Sequence, residues 1–292
     1  ENVSAKHAEE TLSQKELSQL EIAQSEIRYR NVKQLQVRHL NFAYPDGKQI
    51  LKDISFKAEK GQIIGITGPV ACGKSTLGKV FLCEYPYEGQ ILVDGKELQN
   101  MPQSWQTNII GYLGHDPELF NDSVENNVLM GEQKKTEDFL KMVCMAEEVN
   151  EMDDGLQTLV GNGGVRLSGG QGKRLALART LCHKKPVLVL DDPFSALDKN
   201  TEKQIFANLK QQTKDNIVFL ISHRLYLFPQ MDQVIWMEDG KAVAGTHEEI
   251  LEKIPEYRSL YETQSDEREN AKVETENRKT VSEHTEERRS GR

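Results

Sequence analysis

The stretch QIIGITGPVACGKSTLGKVFL, residues 62–82, decides the fold of this 292-residue chain. Its first part is a short apolar run typical of a buried strand, and its last part is typical of a helix. Between them, Gly68 to Ser75 follow the pattern G-x-x-x-x-G-K-[ST]. The two glycines allow a tight loop whose successive N–H groups point inward, and the helix N-terminus adds partial positive charge. The stretch therefore predicts a strand, a phosphate-binding loop and a helix.

The same loop predicts a nucleotide triphosphate held together with magnesium. Lys74 can reach the β- and γ-phosphates, and the Ser75 hydroxyl can ligate Mg²⁺. The apolar run VLVLDD, residues 187–192, ends in two carboxylates. Asp191, at the end of that strand, can hold the same ion, usually through water. We therefore predict Ser75 and Asp191 as metal ligands. The loop residues predicted to bind the nucleotide are Gly68, Pro69, Val70, Ala71, Cys72, Gly73, Lys74, Ser75 and Thr76.

Strand-like apolar runs alternate with helix-like segments along much of the chain, which indicates an α/β protein with a parallel sheet covered on both faces. The run LQVRHLNFAY, residues 35–44, opens the strand-rich part. Residues of about 118–184 interrupt the alternation, and we predict that they form an inserted helical subdomain. A helix is expected to begin near Gly172, so that its N-terminus offers a second site for an anion.

The composition narrows the class of protein. The chain is 37% hydrophobic and 28% charged, and it contains no run of ~18 apolar residues, the length that a membrane helix needs. A net charge of −9 argues against a general nucleic-acid binder. The four cysteines show no C-x-x-C pair, which predicts reduced thiols rather than a zinc site. Because Cys72 adjoins a helix N-terminus, we expect its thiolate to be favoured and its alkylation to block nucleotide binding.

The segment LSGGQ, residues 167–171, settles the class when it is taken with the motifs above, with SALD and with SHR. These motifs occur in the order and at the spacing of the ATP-binding cassette (ABC) nucleotide-binding domains, which the chain resembles over about residues 33–262. The resemblance implies a P-loop NTPase (ABC ATPase) fold with a parallel-sheet core, an antiparallel β subdomain and the inserted helical subdomain. The implied signature residues are Leu167, Ser168, Gly169, Gly170 and Gln171, and the implied dimer-loop residues are Ser195, Ala196, Leu197 and Asp198.

The resemblance also implies roles for two rings. Tyr44, in FAYP, matches the aromatic residue that stacks on adenine, and we favour this role over that of a core aromatic residue at a strand end. His223 matches the switch histidine that contacts the γ-phosphate and orients water, although a lone histidine is often structural. In the family, two domains pack head to tail, and each ATP lies between one phosphate loop and the other signature. ATP and Mg²⁺ are therefore the expected cofactors, and a second ABC ATP-binding domain is the expected partner.

Three segments resemble exporters in particular: TLVGNGGV, LFNDSVENNVLMG and AGTHEEIL. In exporters a membrane domain usually precedes the ATP-binding domain. We therefore expect residues 1–31 to be a connector from such a domain, residues 32–262 to be the ATP-binding domain, and the charged residues 263–292 to be a disordered tail. The expected location is the cytoplasmic face of the cell membrane, with the transmembrane domain as a further partner and no nucleic acid.

Three positions depart from the family pattern. Asp192 stands where a catalytic Glu is usual, His115 replaces the Q-loop Gln, and Asn162 replaces a Glu in a loop that touches the membrane domain. The candidate catalytic residues are therefore Asp192, His223 and His115. The candidate base, Asp192, is one methylene shorter than the usual Glu. Since the signature is intact, the chain resembles the weak-site half of asymmetric exporters, whose partner carries the catalytic Glu and a weakened signature. Asp192 and the motif around it also resemble the first ATP-binding domain of the multidrug-resistance-associated subfamily.

Two other hypotheses remain open at this stage. In the first, the chain forms a homodimeric exporter in which Asp192 is a sufficient catalytic base. In the second, it is a non-transport ATP switch of the kind found in chromosome maintenance or translation. Such switches usually carry long coiled-coil insertions, tandem cassettes or basic surfaces, and the sequence shows none of these features.

Overall fold

The computed structural model describes residues 31–161 and 164–265. Most of the predicted connector and tail, and also Asn162, lie outside the described residues. Within these residues, no helix is both long enough and apolar enough to cross a membrane.

The larger sheet has six strands in the order β12-β11-β3-β10-β9-β6. Neighbouring strands from β11 to β6 run parallel, and β12 pairs antiparallel with β11 at one edge. The three central strands are buried at every position, which explains why they are continuous apolar runs rather than alternating ones. The strands are β3 (Ile63–Thr67), β6 (Ile110–Leu113), β9 (Val187–Asp191), β10 (Ile217–Ile221), β11 (Gln233–Glu238) and β12 (Lys241–Gly245).

A second sheet is antiparallel and has the order β2-β1-β4-β5. Its buried side chains share one core cluster with helix α1 and with one face of the larger sheet. The first helix, α1 (Lys74–Val80), contributes Leu77 and Val80 to that core. The strands of this sheet are β1 (Gln34–Ala43), β2 (Gln49–Glu59), β4 (Glu88–Val93) and β5 (Lys96–Glu97). Helix α2 (Gln103–Ile109) then leads directly into β6.

The helical subdomain lies in the chain between β6 and β9, as predicted. Its helices are α3 (Val124–Leu129), α4 (Thr136–Met142), α5 (Ala146–Asn150) and α6 (Gly169–Cys182), and a small sheet pairs β7 (Asp122–Ser123) with β8 (Leu159–Val160). Helices α3, α4 and α6 share a core cluster with the other face of the larger sheet. The sequence-based fold class is therefore confirmed, with the antiparallel sheet and the helical insertion on opposite faces of the parallel core.

The last helices extend the fold beyond the predicted boundary. Helix α7 (Lys199–Gln212) precedes β10, helix α8 (His247–Lys253) follows β12, and residues 255–265 are also helical. The boundary predicted at residue 262 thus falls inside a helix that continues to residue 265.

Candidate functional site

The phosphate loop joins β3 to α1 and needs its glycines for steric reasons. Gly68 has φ 146° and Gly73 has φ 106°, both in the region that favours glycine. A Cβ at Gly68 would lie 2.0 Å from the carbonyl oxygen of Met237, so no other residue fits there. Ala71, with φ 62°, is a third loop residue in a left-handed conformation. The loop therefore wraps back on itself at the start of α1, as the motif predicts.

Lys74 places its ammonium group inside this loop. The residue is 6% exposed, and Nζ donates to the carbonyl oxygens of Gly68 at 3.0 Å and Pro69 at 2.6 Å. A buried cation surrounded by loop backbone is the arrangement that an anionic phosphate can complete. The structure thus brings the predicted lysine to the centre of the predicted loop.

The expectation that the Cys72 thiolate is favoured is wrong, whereas the effect of its alkylation on nucleotide binding stays a prediction. The thiol is 8% exposed, and burial raises its pKa, although Lys74 nearby acts in the opposite direction. Desolvation of the charged form outweighs the helix N-terminus and the neighbouring ammonium. At neutral pH the thiol therefore stays protonated, which makes it a poor nucleophile.

The other polar candidates follow the carboxyl ends of parallel strands that lie side by side. Asp191 ends β9, His223 follows β10, and His115 follows β6. Since carboxyl ends of parallel strands meet at one edge of a sheet, these residues gather beside the phosphate loop that follows β3. Lys74, Asp192, Asp191 and His115 are all close enough to His223 to influence its pKa.

Asp191 is buried at 3% exposure and accepts a hydrogen bond from the Tyr112 hydroxyl, whose oxygen lies 3.1 Å from Oδ2. Burial, followed by the charge of Asp191, raises the pKa of Tyr112, so the phenol stays protonated and keeps donating. Tyr112 lies in β6, and sequence reasoning did not identify it. A buried carboxylate together with the Ser75 hydroxyl is a set of hard oxygen ligands, which suits Mg²⁺.

Asp192 is held firmly by its main chain. Its φ is 50°, its N–H donates to the Ile221 carbonyl at 2.9 Å, and its carbonyl accepts from the Ser195 N–H at 3.3 Å and the Ser195 hydroxyl at 3.2 Å. The side chain is 15% exposed, and Oδ2 lies 3.8 Å from Nδ1 of the more exposed His115. That distance exceeds a hydrogen bond, so the two side chains are neighbours without a direct bond.

His223 lies across the site from these groups. Partial burial of the ring, followed by the positive charge of Lys74, lowers its pKa, while Asp192 and Asp191 act in the opposite direction. The imidazole is therefore neutral at pH 7 and can either donate or accept a proton there.

Tyr44 lines a cavity of about 190 Å³ next to the loop. Its ring packs edge-to-face against Phe42 at 5.0 Å and Tyr85 at 5.9 Å, and its hydroxyl lies 3.5 Å from the Thr76 hydroxyl. Tyr44 thus both packs against an aromatic neighbour from the core and borders open space. Tyr85 is 45% exposed and was missed, although the sequence shows an aromatic residue just after the segment that forms α1.

The signature starts a helix earlier than predicted. Helix α6 begins at Gly169 rather than near Gly172, because Ser168 is its N-cap and forms a capping box with Gln171. The Ser168 hydroxyl accepts from the Gln171 N–H at 3.2 Å, and the Gln171 side chain accepts from the Ser168 N–H at 2.9 Å. Leu167 packs against the core of the helical subdomain. The anion-binding end of the helix therefore coincides with the signature itself.

An ion pair that sequence reasoning missed supports the signature. Arg174 is 8% exposed and pairs with Glu148 at 2.5 Å and 2.9 Å, while Gln171 Nε2 donates to the same carboxylate at 2.9 Å. The Arg174 guanidinium lowers the pKa of Glu148, which therefore remains charged. These bonds tie the start of α6 to α5.

The predicted dimer loop contacts the signature within the same chain. A Cβ at Gly170 would lie 2.9 Å from the carbonyl oxygen of Ala196, so the two segments are in close contact. Lys173 of α6 donates to the Ser195 hydroxyl. Leu197 is buried, whereas Asp198 is the N-cap of α7 and accepts from the backbone of Asn200 at 2.9 Å and of Thr201 at 3.1 Å. Asp198 thus has a local structural role that its motif does not indicate.

The signature and the phosphate loop remain separate within the chain. Among the described residues, no hydrogen bond or ion pair joins residues 68–76 to residues 167–171. The phosphate loop lies between the two sheets, and the signature lies at the start of a helix in the inserted subdomain.

Comparisons with known proteins agree with this architecture. A family model described as ABC transporter matches residues 51–195. A Bacillus subtilis (strain 168) protein named "Probable multidrug resistance ABC transporter ATP-binding/permease protein YheI" is 37% identical over 233 residues, which are 77% of this chain and 40% of that protein. The chain carries an ATP-binding domain of the ABC transporter family. Its relatives place the domain in the exporter type.

Two further relatives support this assignment. An ATP-dependent lipid A-core flippase of Burkholderia pseudomallei (strain 1710b) is 36% identical over 238 residues, which are 79% of this chain and 40% of the flippase. The structure titled "Structure of a bacterial Atm1-family ABC exporter with ATP bound" aligns with a TM-score of 0.75 at 28% identity, covering 80% of this chain and 42% of that one. The chain thus spans about 40% of the length of these two curated relatives.

Proposed function

We propose that this ABC domain binds MgATP in an exporter, dimerises with a second ATP-binding domain around the nucleotide, and hydrolyses ATP slowly or not at all at its own site. The observation that carries the proposal is the fixed main chain of Asp192, whose short side chain cannot approach the phosphate by backbone movement. The 292 residues would comprise a connector at residues 1–31, the ATP-binding domain, and a tail after the last helix.

The nucleotide lies with its adenine on Tyr44 and its phosphates on the loop around Lys74. Stacking on an aromatic ring is worth roughly 1–3 kcal/mol and tolerates any base. Ser75 and Asp191 would hold Mg²⁺, which neutralises phosphate charge when it is bound. The cavity beside Tyr44 and the cation inside the loop support this placement.

Slow hydrolysis follows from two groups beside the γ-phosphate position. Asp192 is shorter than a glutamate by about 1.5 Å, the length of one methylene. His115, 3.8 Å away, can contact a phosphate but cannot offer an amide carbonyl and an NH₂ group together. His223, neutral at pH 7, remains able to contact the γ-phosphate. The site therefore keeps the side chains that bind ATP, whereas the Asp192 carboxylate is too short to reach the attacking water.

The signature segment, residues 167–171, supports the proposed dimer with a second ATP-binding domain. Ser168 caps the helix, and Gly169 and Gly170 leave the helix N-terminus without bulky side chains, so it can face the ATP of a partner. The partner is then a domain with a catalytic Glu, and its site performs most of the hydrolysis. The alternative is a homodimeric exporter in which Asp192 acts as the base at both sites.

An exposed apolar patch supports docking on a membrane domain at the cytoplasmic face of the membrane. Phe120 is 52% exposed, Leu159 is 59% exposed and Val165 is 52% exposed, and the last two flank the Gly-rich loop that contains Asn162. Arg179 lies 5.0 Å from the centre of the Phe120 ring. Such apolar groups near one another on a surface mark an interaction site.

A variant at Gly169 tests the proposed dimer. No atom lies within 4 Å of a Cβ built there, so Gly169→Asp fits without a clash. An aspartate in the first turn also favours the helix dipole, so the fold should not be weakened. Its charge would repel the phosphates of the partner ATP. Gly169→Ala is the matched neutral control.

The measurement is sedimentation of this chain with an exporter domain that carries a catalytic Glu, with and without MgATP. We expect a complex that depends on ATP for the parent chain and for Gly169→Ala, and none for Gly169→Asp. All three proteins should bind ATP equally well. A stable homodimer without nucleotide would contradict the proposal, and so would a complex that forms equally well with the Gly169→Asp variant.

A further inference from the structure

The helix formed by residues 255–265 contacts the loop that carries His223. The side-chain amide of Gln264, in this helix, donates from Nε2 to the His223 carbonyl at 2.9 Å and accepts at Oε1 from the Leu225 N–H at 2.8 Å. Both ends of one amide are therefore used on the two residues that flank Arg224. Two such bonds restrain both the position and the orientation of the loop main chain.

The opposite side of the same loop is fixed through Arg224. Its guanidinium donates to the Leu197 carbonyl at 3.0 Å and pairs with Glu202 at 2.6 Å. Glu202 is fully buried in α7, so this contact cannot shift without moving a core helix. Leu197 and Glu202 thus hold the Arg224 side chain, and Gln264 holds the main chain on both sides of Arg224.

The helix that presents Gln264 is itself anchored to the larger sheet. Tyr257 is fully buried, its hydroxyl lies 2.7 Å from Nδ1 of His247, and its ring packs against Trp236 at 5.8 Å and Phe228 at 6.5 Å. Gln264 follows seven residues later, about two turns or roughly 10 Å along the axis. The position of Gln264 is thus set by a buried anchor that lies away from the nucleotide.

We propose that Gln264 is a positioning residue that holds the His223 main chain so that the imidazole faces the γ-phosphate, which links the C-terminal helix to discrimination between ATP and ADP. This inference rests on the proposed contact of His223 with the γ-phosphate. Gln264 does not touch the nucleotide. It acts by fixing where the Cα of His223 lies relative to Lys74 and Asp192.

The experiment is a double-mutant cycle on the ratio of two affinities. Dissociation constants for ADP and for the β,γ-imido analogue of ATP are measured with magnesium in the full chain, its Gln264→Leu variant, its His223→Ala variant and the double variant. Since only the γ-phosphate separates the two ligands, their ratio reports the His223 contact. Use of the imido analogue makes the measurement independent of hydrolysis.

Two reference variants separate positioning from folding. Glu262→Leu introduces the same side chain at an exposed position of the same helix and should leave the ratio unchanged. Tyr257→Phe keeps the ring packed against Trp236 and Phe228, so the helix and Gln264 stay in place. It removes only the hydrogen bond to His247 and should lower thermal stability without changing the ratio. Gln264→Glu, which can still accept from Leu225 but cannot donate to His223, replaces Gln264→Leu if that variant fails to fold.

We expect His223→Ala to reduce the preference for the triphosphate by about tenfold, since hydrogen bonds to charged groups are strong. Gln264→Leu should reduce it at least ~3-fold, and the double variant should be no worse than His223→Ala, the result for two residues that act as a unit. An unchanged ratio in Gln264→Leu, or an additive loss in the double variant, overturns the inference. An unchanged ratio in His223→Ala instead overturns the proposed contact with the γ-phosphate.

Discussion

Lengthening the side chain at position 192 should partly repair hydrolysis at this site. In Asp192→Glu the carboxylate moves outward by one methylene, about 1.5 Å. Lys74 already lies inside the phosphate loop, and Lys74 and Asp191 are close enough to His223 to influence its pKa. The defect that we propose is one of reach, so a longer acid addresses it directly.

The expected gain in hydrolysis rate follows from the hydrogen bonds that hold the Asp192 main chain. Its N–H bonds to Ile221 at 2.9 Å, and its carbonyl accepts twice from Ser195, at 3.2 Å and 3.3 Å. These bonds oppose the backbone movement that would supply the missing ~1.5 Å. A misplacement of ~1 Å costs on the order of 100-fold in rate, about 2.7 kcal/mol of barrier. We expect a gain of roughly 10- to 100-fold at this site.

The same geometry predicts a small loss of stability. Asp192 has φ 50°, and a longer side chain without local hydrogen bonds costs about 1 kcal/mol more in that conformation. Thermal unfolding should therefore occur a few degrees lower in Asp192→Glu, while hydrolysis rises. Opposite changes in stability and rate would show that the effect on rate is not a by-product of better folding.

The assay is steady-state phosphate release by the assembled transporter, with Asp192→Asn as the matched uncharged control. If the partner site does most of the work, the Asn variant keeps nearly all of the total turnover. Loss of nearly all activity in Asp192→Asn would refute the asymmetric proposal and favour a homodimer in which Asp192 is the only base. No gain in Asp192→Glu would refute the argument from reach, unless adding His115→Gln restores the rate.

Three other predictions concern binding, reactivity and pH. Tyr44→Ala should weaken a fluorescent ATP analogue roughly 10-fold, and Lys74→Ala should weaken it more; unchanged affinity would disprove the placement. Burial raises the pKa of Cys72, so mass spectrometry should show alkylation at pH 7 slower than for a free cysteine and slower still with MgATP; a rate insensitive to MgATP would count against the loop. Burial lowers the pKa of His247, so the unfolded state takes up the proton first and stability falls as pH drops below about 6.5; thermal unfolding of His247→Gln should depend less on pH, and equal dependence would exclude this cause.

The larger sheet could be predicted because its signal is local. Strands β3, β9 and β10 are buried along their whole length, so they are continuous apolar runs, and the glycines of the phosphate loop mark the turn after β3. The order of the strands could not be derived from those runs alone. The family resemblance implied the antiparallel sheet but gave no strand order, which the structure supplies.

The errors have identifiable physical causes. The start of α6 was placed three residues late because two adjacent glycines look like a loop, whereas the capping box of Ser168 and Gln171 already begins the helix there. The thiol of Cys72 was expected to be acidic from its place in the sequence, but its pKa depends on burial, which sequence position does not reveal.

Four of the residues that were missed share one property, and it explains why no motif marks them. Tyr112, Glu148, Lys173 and Gln264 act through bonds to groups 22 to 79 residues away in sequence. Such partners meet only once the sheet order is set, so no local spacing marks them. The substitution at Asp192 could be recognised from the sequence, but its rigidity could not, because that depends on Ile221 in the next strand. The motifs thus identify the groups that face the nucleotide, and long-range bonds to the main chain determine how precisely those groups are held.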